Sequence, residues 1–222
     1  MSTTSTGSAT AARLWHGLTA AVCTASLVLQ LVLVLIRDND TALTRVIRLL
    51  SYFTIESNLI VAVVSWTLVA DPRRDGRGWR IARLASVVCI AVTGVVYVSV
   101  LSGLFDLTPA GRVADTGLHY VTPLLVVVGW LLFGPRPRVD LRTVGLMLLF
   151  PIGWLAYTLV RGEIVDAYPY PFVDVAAEGY AVVAVNCVVV TLVFVAVSLL
   201  VLLLDRRLAS SGSGYGGRST GQ

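Results

Sequence analysis

The sequence predicts an all-α polytopic membrane protein with six transmembrane helices and both termini on the inner side. Three observations carry this. The 222-residue chain is 56% hydrophobic and 14% charged, with a mean hydropathy of +0.82, a membrane-protein composition. Its apolar residues gather in runs long enough to cross the hydrocarbon core at about 1.5 Å per helical residue. Its basic residues, 17 arginines and no lysine, fall mostly at the edges of those runs and between them.

In chain order, residues 1–12 are rich in Ser, Thr, Ala and Gly and read as a disordered tail. A transmembrane domain follows over 13–205. Its first span, 14–36, is longer than the apolar core of a secretory signal, about 7–15 residues, so it reads as a retained helix. Further spans are expected at about 49–70, 82–103, 115–133, 141–160 and 179–204. Pro123 and Pro151 interrupt the fourth and fifth, which membrane helices tolerate when neighbouring groups satisfy the freed carbonyls. Residues 206–222 run from arginine into Ser and Gly and read as a second disordered tail. The connection at 161–178 contains Tyr168-Pro169-Tyr170-Pro171-Phe172. Two prolines that close forbid a regular helix, leaving either a structured cap over one end of the bundle or a stiff linker. No polar pattern recurs between the halves, as a transporter repeat would require.

Arginine placement sets the expected orientation. With the N-terminus inside, 12 arginines fall on inner segments and 5 on outer ones. Trp15, Trp66, Trp79 and Trp130 all fall near the proposed inner boundary, as an aromatic belt does, and Trp154 does not. The expectation is a multi-pass protein of the plasma membrane. The net charge of +4 is a topology and headgroup signal, so membrane lipids are the expected partners and nucleic acid is not. Cys23, Cys89 and Cys187 lie within apolar runs without metal-ligand spacing and read as packing residues. His16 and His119 fall on opposite sides of the membrane and cannot share one metal or haem, so no cofactor is expected. Oligomeric state is not legible.

The functional signal is a set of polar residues inside apolar segments, where they are costly and face a bundle interior or a cavity. The stretch Ser51-Tyr52-Phe53-Thr54-Ile55-Glu56-Ser57-Asn58 opens the second span. Thr54 and Asn58 lie one turn apart on one face, with Ser51 on the same side and Glu56 roughly opposite. Glu56 is expected to snorkel outward or to pair with Arg45 or Arg48. Thr54 lies about 9 Å in from Arg48. Gln30, Tyr97, His119, Tyr157 and Asn186 fall at similar depths on the other helices. Together they sketch a shallow polar pocket open toward the outer leaflet.

Asp115 precedes His119 by one turn, close enough to fix the imidazole tautomer and stabilise its protonated form. If Thr54 and His119 face each other, hydroxyl, imidazole and carboxylate make nucleophile, base and orienter. Asn58, Tyr120 or Tyr157 can then donate to a developing oxyanion. A plainer reading stands beside this one. His119 is then a histidine satisfied within the bundle, and Thr54 bonds back to the carbonyl one turn earlier.

Tyr52-Phe53-Thr54-Ile55-Glu56-Ser57-Asn58 resembles the aromatic-x-Thr segment of the androgen-induced-protein family of multi-spanning membrane proteins. Gly117-Leu118-His119-Tyr120-Val121-Thr122-Pro123 resembles that family's His-containing helix, and Tyr170-Pro171-Phe172 resembles a Tyr-Pro-Phe segment before its last helix. The three occur in the family's order across about 14–204, most like a group of bacterial members. Animal members hydrolyse fatty acid esters of hydroxy fatty acids with a Thr nucleophile and an essential His. The resemblance therefore implies Thr54 as nucleophile, His119 as base and a lipid ester as substrate. Two other classes remain in view: a small-molecule or ion transporter using the same polar slab, and a non-catalytic lipid-binding protein.

Overall fold

The computed structural model describes residues 4–38, 40–104 and 106–213. They form an all-helical bundle with six helices long and apolar enough to cross a membrane. The chain is thus built as a multi-pass membrane protein. Helix α1 (Thr4–Leu35) leads to a short α2 (Ala42–Leu50) and then α3 (Phe53–Ala70). Helix α4 (Arg77–Val96) continues into a π-helical turn, Tyr97–Leu101. Helix α5 (Pro109–Thr116), a second π turn (Gly117–Val121) and α6 (Thr122–Phe133) make one continuous span. Helix α7 (Leu141–Val165), a 3-10 turn (Pro171–Val173), the one-turn α8 (Val175–Glu178) and α9 (Tyr180–Ser213) complete the chain.

The element ends differ from expectation at both tails. Helix α1 begins at Thr4, so residues 4–12 are helical rather than disordered. The segment holds Ala9, Ala11 and Ala12 and no proline, so nothing stops the apolar helix extending into it. Helix α9 likewise continues to Ser213, past the expected end at 205. Residues 1–3 and 214–222 of the expected tails lie outside the described residues. The expected second span, 49–70, is instead broken at Ser51 and Tyr52, between α2 and α3.

Helix α4 is the central strut. Val88, Cys89 and Ile90 are successive residues with no exposed surface, so it is buried on every side at that level. It packs against α3, α6, α7 and α9, while α1 runs along α3 and the α5–α6 span. The outward faces stay apolar, with Val63 65%, Leu124 63%, Leu149 62% and Leu192 61% exposed. A helix apolar all round suits a lipid surround, since there is no water for one face to meet.

Three irregularities shape one end of the bundle. The first is the break before α3, which α7 holds: Ser51 Oγ lies 2.9 Å from the Tyr157 hydroxyl, and Trp154 Nε1 donates to the Ser51 carbonyl at 3.0 Å. The second is the pair of π turns, each adding a residue to its helical turn and re-aiming the side chains it carries. The turn over Gly117–Val121 ends just before Pro123, whose ring cannot donate to the His119 carbonyl in α-helical register. Helices approach it closely: a Cβ on Gly117 would sit 2.0 Å from Ser26 Oγ, and one on Gly94 would press on Pro123 and the His119 carbonyl. The third is the segment after α7. The Tyr168 ring lies where a Cβ on Gly162 would stand, and Asn186 Nδ2 donates to the Phe172 carbonyl at 2.9 Å. That segment is a structured cap, folded onto the bundle end and held by α7 and α9.

Candidate functional site

Thr54 is the second residue of α3, just past the break, and is 5% exposed. Its Oγ1 lies 3.2 Å from His119 Nε2 and 3.2 Å from the Tyr170 hydroxyl. Its backbone N–H, unpartnered within the first turn, donates to the same Tyr170 oxygen at 3.2 Å. His119 Nδ1 lies 2.9 Å from Asp115 Oδ1 and 3.1 Å from the Asp115 carbonyl. The Tyr97 hydroxyl donates to Asp115 Oδ2 at 2.6 Å.

These contacts are compatible with one continuous set of hydrogen-bond directions. An ionised carboxylate only accepts, so Nδ1 of a neutral His119 carries the proton and Nε2 is the free acceptor. In that set the Tyr170 oxygen accepts from the Thr54 N–H and its hydroxyl donates to Thr54 Oγ1. The Thr54 hydrogen then points at His119 Nε2. A hydroxyl, an imidazole and a carboxylate stand in line. Burial pushes the Tyr170 phenol up to about 12, so it stays a neutral donor at ordinary pH.

Two spaces meet at this point. A polar chamber of about 490 Å³ is lined by Gln30, Thr54, Tyr97, Asp115, His119 and Tyr170, with Arg37, Arg45 and Arg48 also on its wall. On the other side of Thr54 lies an apolar slot of about 120 Å³ between α3, α4, α7, α9 and the cap, lined by Phe53, Val92, Leu148, Val190 and Phe194 among others. Thr54 and Tyr170 belong to both walls. An aromatic cluster steadies them: Phe53 packs edge-on to Trp154 at 5.1 Å, and Tyr170 stacks on Phe172 at 5.3 Å.

Of the residues singled out in the sequence, Thr54, His119 and Asp115 come together here. The Thr54 hydroxyl turns to His119 and Tyr170 rather than back along its own chain. Asn58 is not an oxyanion donor. It is fully buried, its amide nitrogen donates to the Thr54 carbonyl at 2.8 Å and the Leu118 carbonyl at 3.4 Å, and its oxygen faces Cys23 Sγ. It ties α3 to the turn that carries His119. Tyr120 is 41% exposed and meets Ser102 instead, at 3.2 Å. Tyr157 is occupied by Ser51, and Asn186 by the cap. The polar slab therefore draws on α1, α3, α4 and the α5–α6 span, and not on α7 and α9. Of the alternatives open for Glu56, an ion pair with Arg48 is not formed; Arg48 pairs with Asp40 at 2.5 Å.

Two tyrosines at the site had no role assigned from sequence. Tyr97 was one more polar residue at the right depth, and Tyr170 part of a Pro-rich connection. Comparison with family models, with curated proteins and with solved structures gives no match to this chain.

Proposed function

We propose that this protein is an intramembrane hydrolase of fatty acyl esters, with Thr54 as nucleophile, His119 as general base and Asp115 as its orienting carboxylate. The observation that carries the reading is the unbroken line from Thr54 Oγ1 through the His119 ring to Asp115 Oδ1, at 3.2 and 2.9 Å. The resemblance of the segments around Thr54 and His119 to the androgen-induced-protein family implies the same pair. The arginine distribution favours a site opening to the outer face of the plasma membrane.

In this mechanism His119 Nε2 takes the Thr54 proton as Oγ1 bonds to the ester carbonyl carbon. The carbonyl oxygen becomes an oxyanion, and the Tyr170 hydroxyl and Thr54 N–H are the donors nearest to it. Collapse breaks the bond to the alcohol oxygen, which leaves with the proton from His119, and an acyl-threonine remains. Water from the polar chamber gives a proton to His119 and adds to the acyl carbon. Release of the fatty acid returns the proton to Thr54. The apolar slot beside Thr54 suits the acyl chain, and the polar chamber suits the headgroup side and water. No redox or metal-dependent step is needed.

Purified protein is expected to hydrolyse long-chain acyl esters and to react with a fluorophosphonate probe at Thr54. Thr54→Ala and His119→Ala should each lower turnover by about 10⁴-fold or more while the helical circular dichroism signal is kept. Thr54→Ser should keep a measurable fraction of the rate and the label. Probe labelling that persists in Thr54→Ala rejects the assignment. Lipid that co-purifies intact, with no turnover in the wild type, moves the reading to a non-catalytic lipid-binding protein.

A further inference from the structure

At the opposite end of the bundle from Thr54, Arg83 on α4 is buried to 7% exposure, and its Nε and Nη2 have no hydrogen-bond partner. It lies about 9 Å inside the start of its span, counted from Arg77. A guanidinium keeps its charge, and a buried charge without a partner is costly. Among the described residues no carboxylate stands within ion-pair distance of its guanidinium. Asp75 is taken by Arg80, whose Nε and Nη2 donate to it at 2.7 and 2.8 Å, and by Arg138. Asp205 is fully buried; its Oδ2 accepts from the backbone N–H groups of Arg138 and Val139 at 2.7 and 2.9 Å, and its Oδ1 has no hydrogen-bond partner and forms no ion pair with Arg83. Arg136 lies over the Trp130 ring, 4.9 Å from its centroid, adding another positive charge nearby.

Arg83 lines a small pocket together with Arg80, Arg138, Trp79 and Trp130. The room inside is about 10 Å³, which is space for the centre of one water-sized group. We propose that this pocket binds the phosphate group of an anionic lipid, one non-bridging oxygen entering to the Arg83 fork and the rest facing Arg80 and Arg138. Arginine forks match phosphate oxygens in geometry as well as charge. Trp79 and Trp130 flank the pocket, and tryptophan is enriched at membrane–water boundaries, where lipid phosphates lie. This site is independent of the Thr54 chemistry.

The test uses the delipidated full chain in neutral detergent, titrated separately with phosphatidylglycerol and with sodium phosphate. Phosphatidylglycerol is expected to raise the thermal midpoint by roughly 5–10 °C at about a hundredfold excess over Kd. Thr54→Ala should keep the shift and Arg83→Met should lose it. Arg83→Gln, closer in polarity, gives the same reading if the Met variant does not fold. A shift of equal size with sodium phosphate supports the phosphate site and makes free phosphate its source. The proposal is overturned if neither addition shifts the wild type, or if the Arg83 variants respond as the wild type does. Native mass spectrometry of the wild-type protein should show one retained phosphatidylglycerol, and its absence also counts against the site.

Discussion

The rings of Tyr97 and His119 lie face to face, centroids 3.8 Å apart and 17° from parallel. The same tyrosine donates its hydroxyl to Asp115 Oδ2, while Asp115 Oδ1 holds His119 Nδ1. Tyr97 thus touches both His119 and Asp115, stacking on the imidazole plane and holding one carboxylate oxygen. Each of the two residues stands in a π turn, Tyr97 at the start of one and His119 at the centre of the other. Such turns recur at functional sites because the extra residue re-aims a side chain without ending the helix.

On this geometry Tyr97 is a positioning residue, and its two contributions can be separated. Tyr97→Phe keeps the stack and removes the hydroxyl, and should lower kcat by about 10-fold with KM little changed. Tyr97→Leu removes both and should lower kcat by about 100-fold. Asp115→Asn leaves the carbonyl contact but loses the carboxylate that sets the tautomer, with an expected loss of about 10³–10⁴-fold. Single-turnover kinetics on an acyl ester read these effects. A Tyr97→Phe variant with raised KM and unchanged kcat would assign Tyr97 to substrate binding instead.

Tyr170 offers a second test, since its phenol oxygen lies 3.2 Å from Thr54 Oγ1 and the proposed mechanism uses it as an oxyanion donor. Tyr170→Phe should lower kcat by about 10²–10³-fold, the usual cost of losing one oxyanion donor. The ring would still fill its place between Tyr52, Trp154 and Phe172, so the thermal midpoint should move little. A large fall in the midpoint with the rate per folded molecule unchanged would make Tyr170 a packing residue only.

Much of this was legible in the residues themselves. Six apolar runs leave little choice of fold, and a hydroxyl, an imidazole and a carboxylate at similar depth inside them are a candidate cluster, beside the plainer reading of residues each satisfied within its own helix. Asn58 was misread for a physical reason. A helical wheel places it on the face of Thr54, but its amide donates to the Thr54 carbonyl one turn earlier on α3 and to the Leu118 carbonyl in the π turn. Tyr97 and Tyr170 could not be singled out, because tyrosine near a membrane boundary is ordinary. Their roles depend on a register shift in α4 and on the path of the cap. Both go with tertiary contacts, Gly94 of α4 against Pro123 and the His119 carbonyl and Gly162 against Tyr168, that no local pattern announces.

The apolar slot yields the last prediction. Val92 is 2% exposed, lies on α4 one turn before Val96, and lines the slot opposite the α7 and α9 wall. Filling the slot from this position should not disturb the line of Thr54, His119 and Asp115, because Val92 touches the polar chamber nowhere along its lining. Val92→Phe should therefore reduce hydrolysis of long-chain acyl esters by about 10–100-fold while short-chain esters lose less than about threefold, since lost apolar contacts discriminate by about 1–3 kcal/mol. Chain-length profiles of kcat/KM for wild type and variant measure this directly. Overpacking a core carries its own cost of about 1–3 kcal/mol, so the thermal midpoint is measured alongside. Equal losses at every chain length would place the acyl chain elsewhere, in the polar chamber or along the lipid-facing surface of α3.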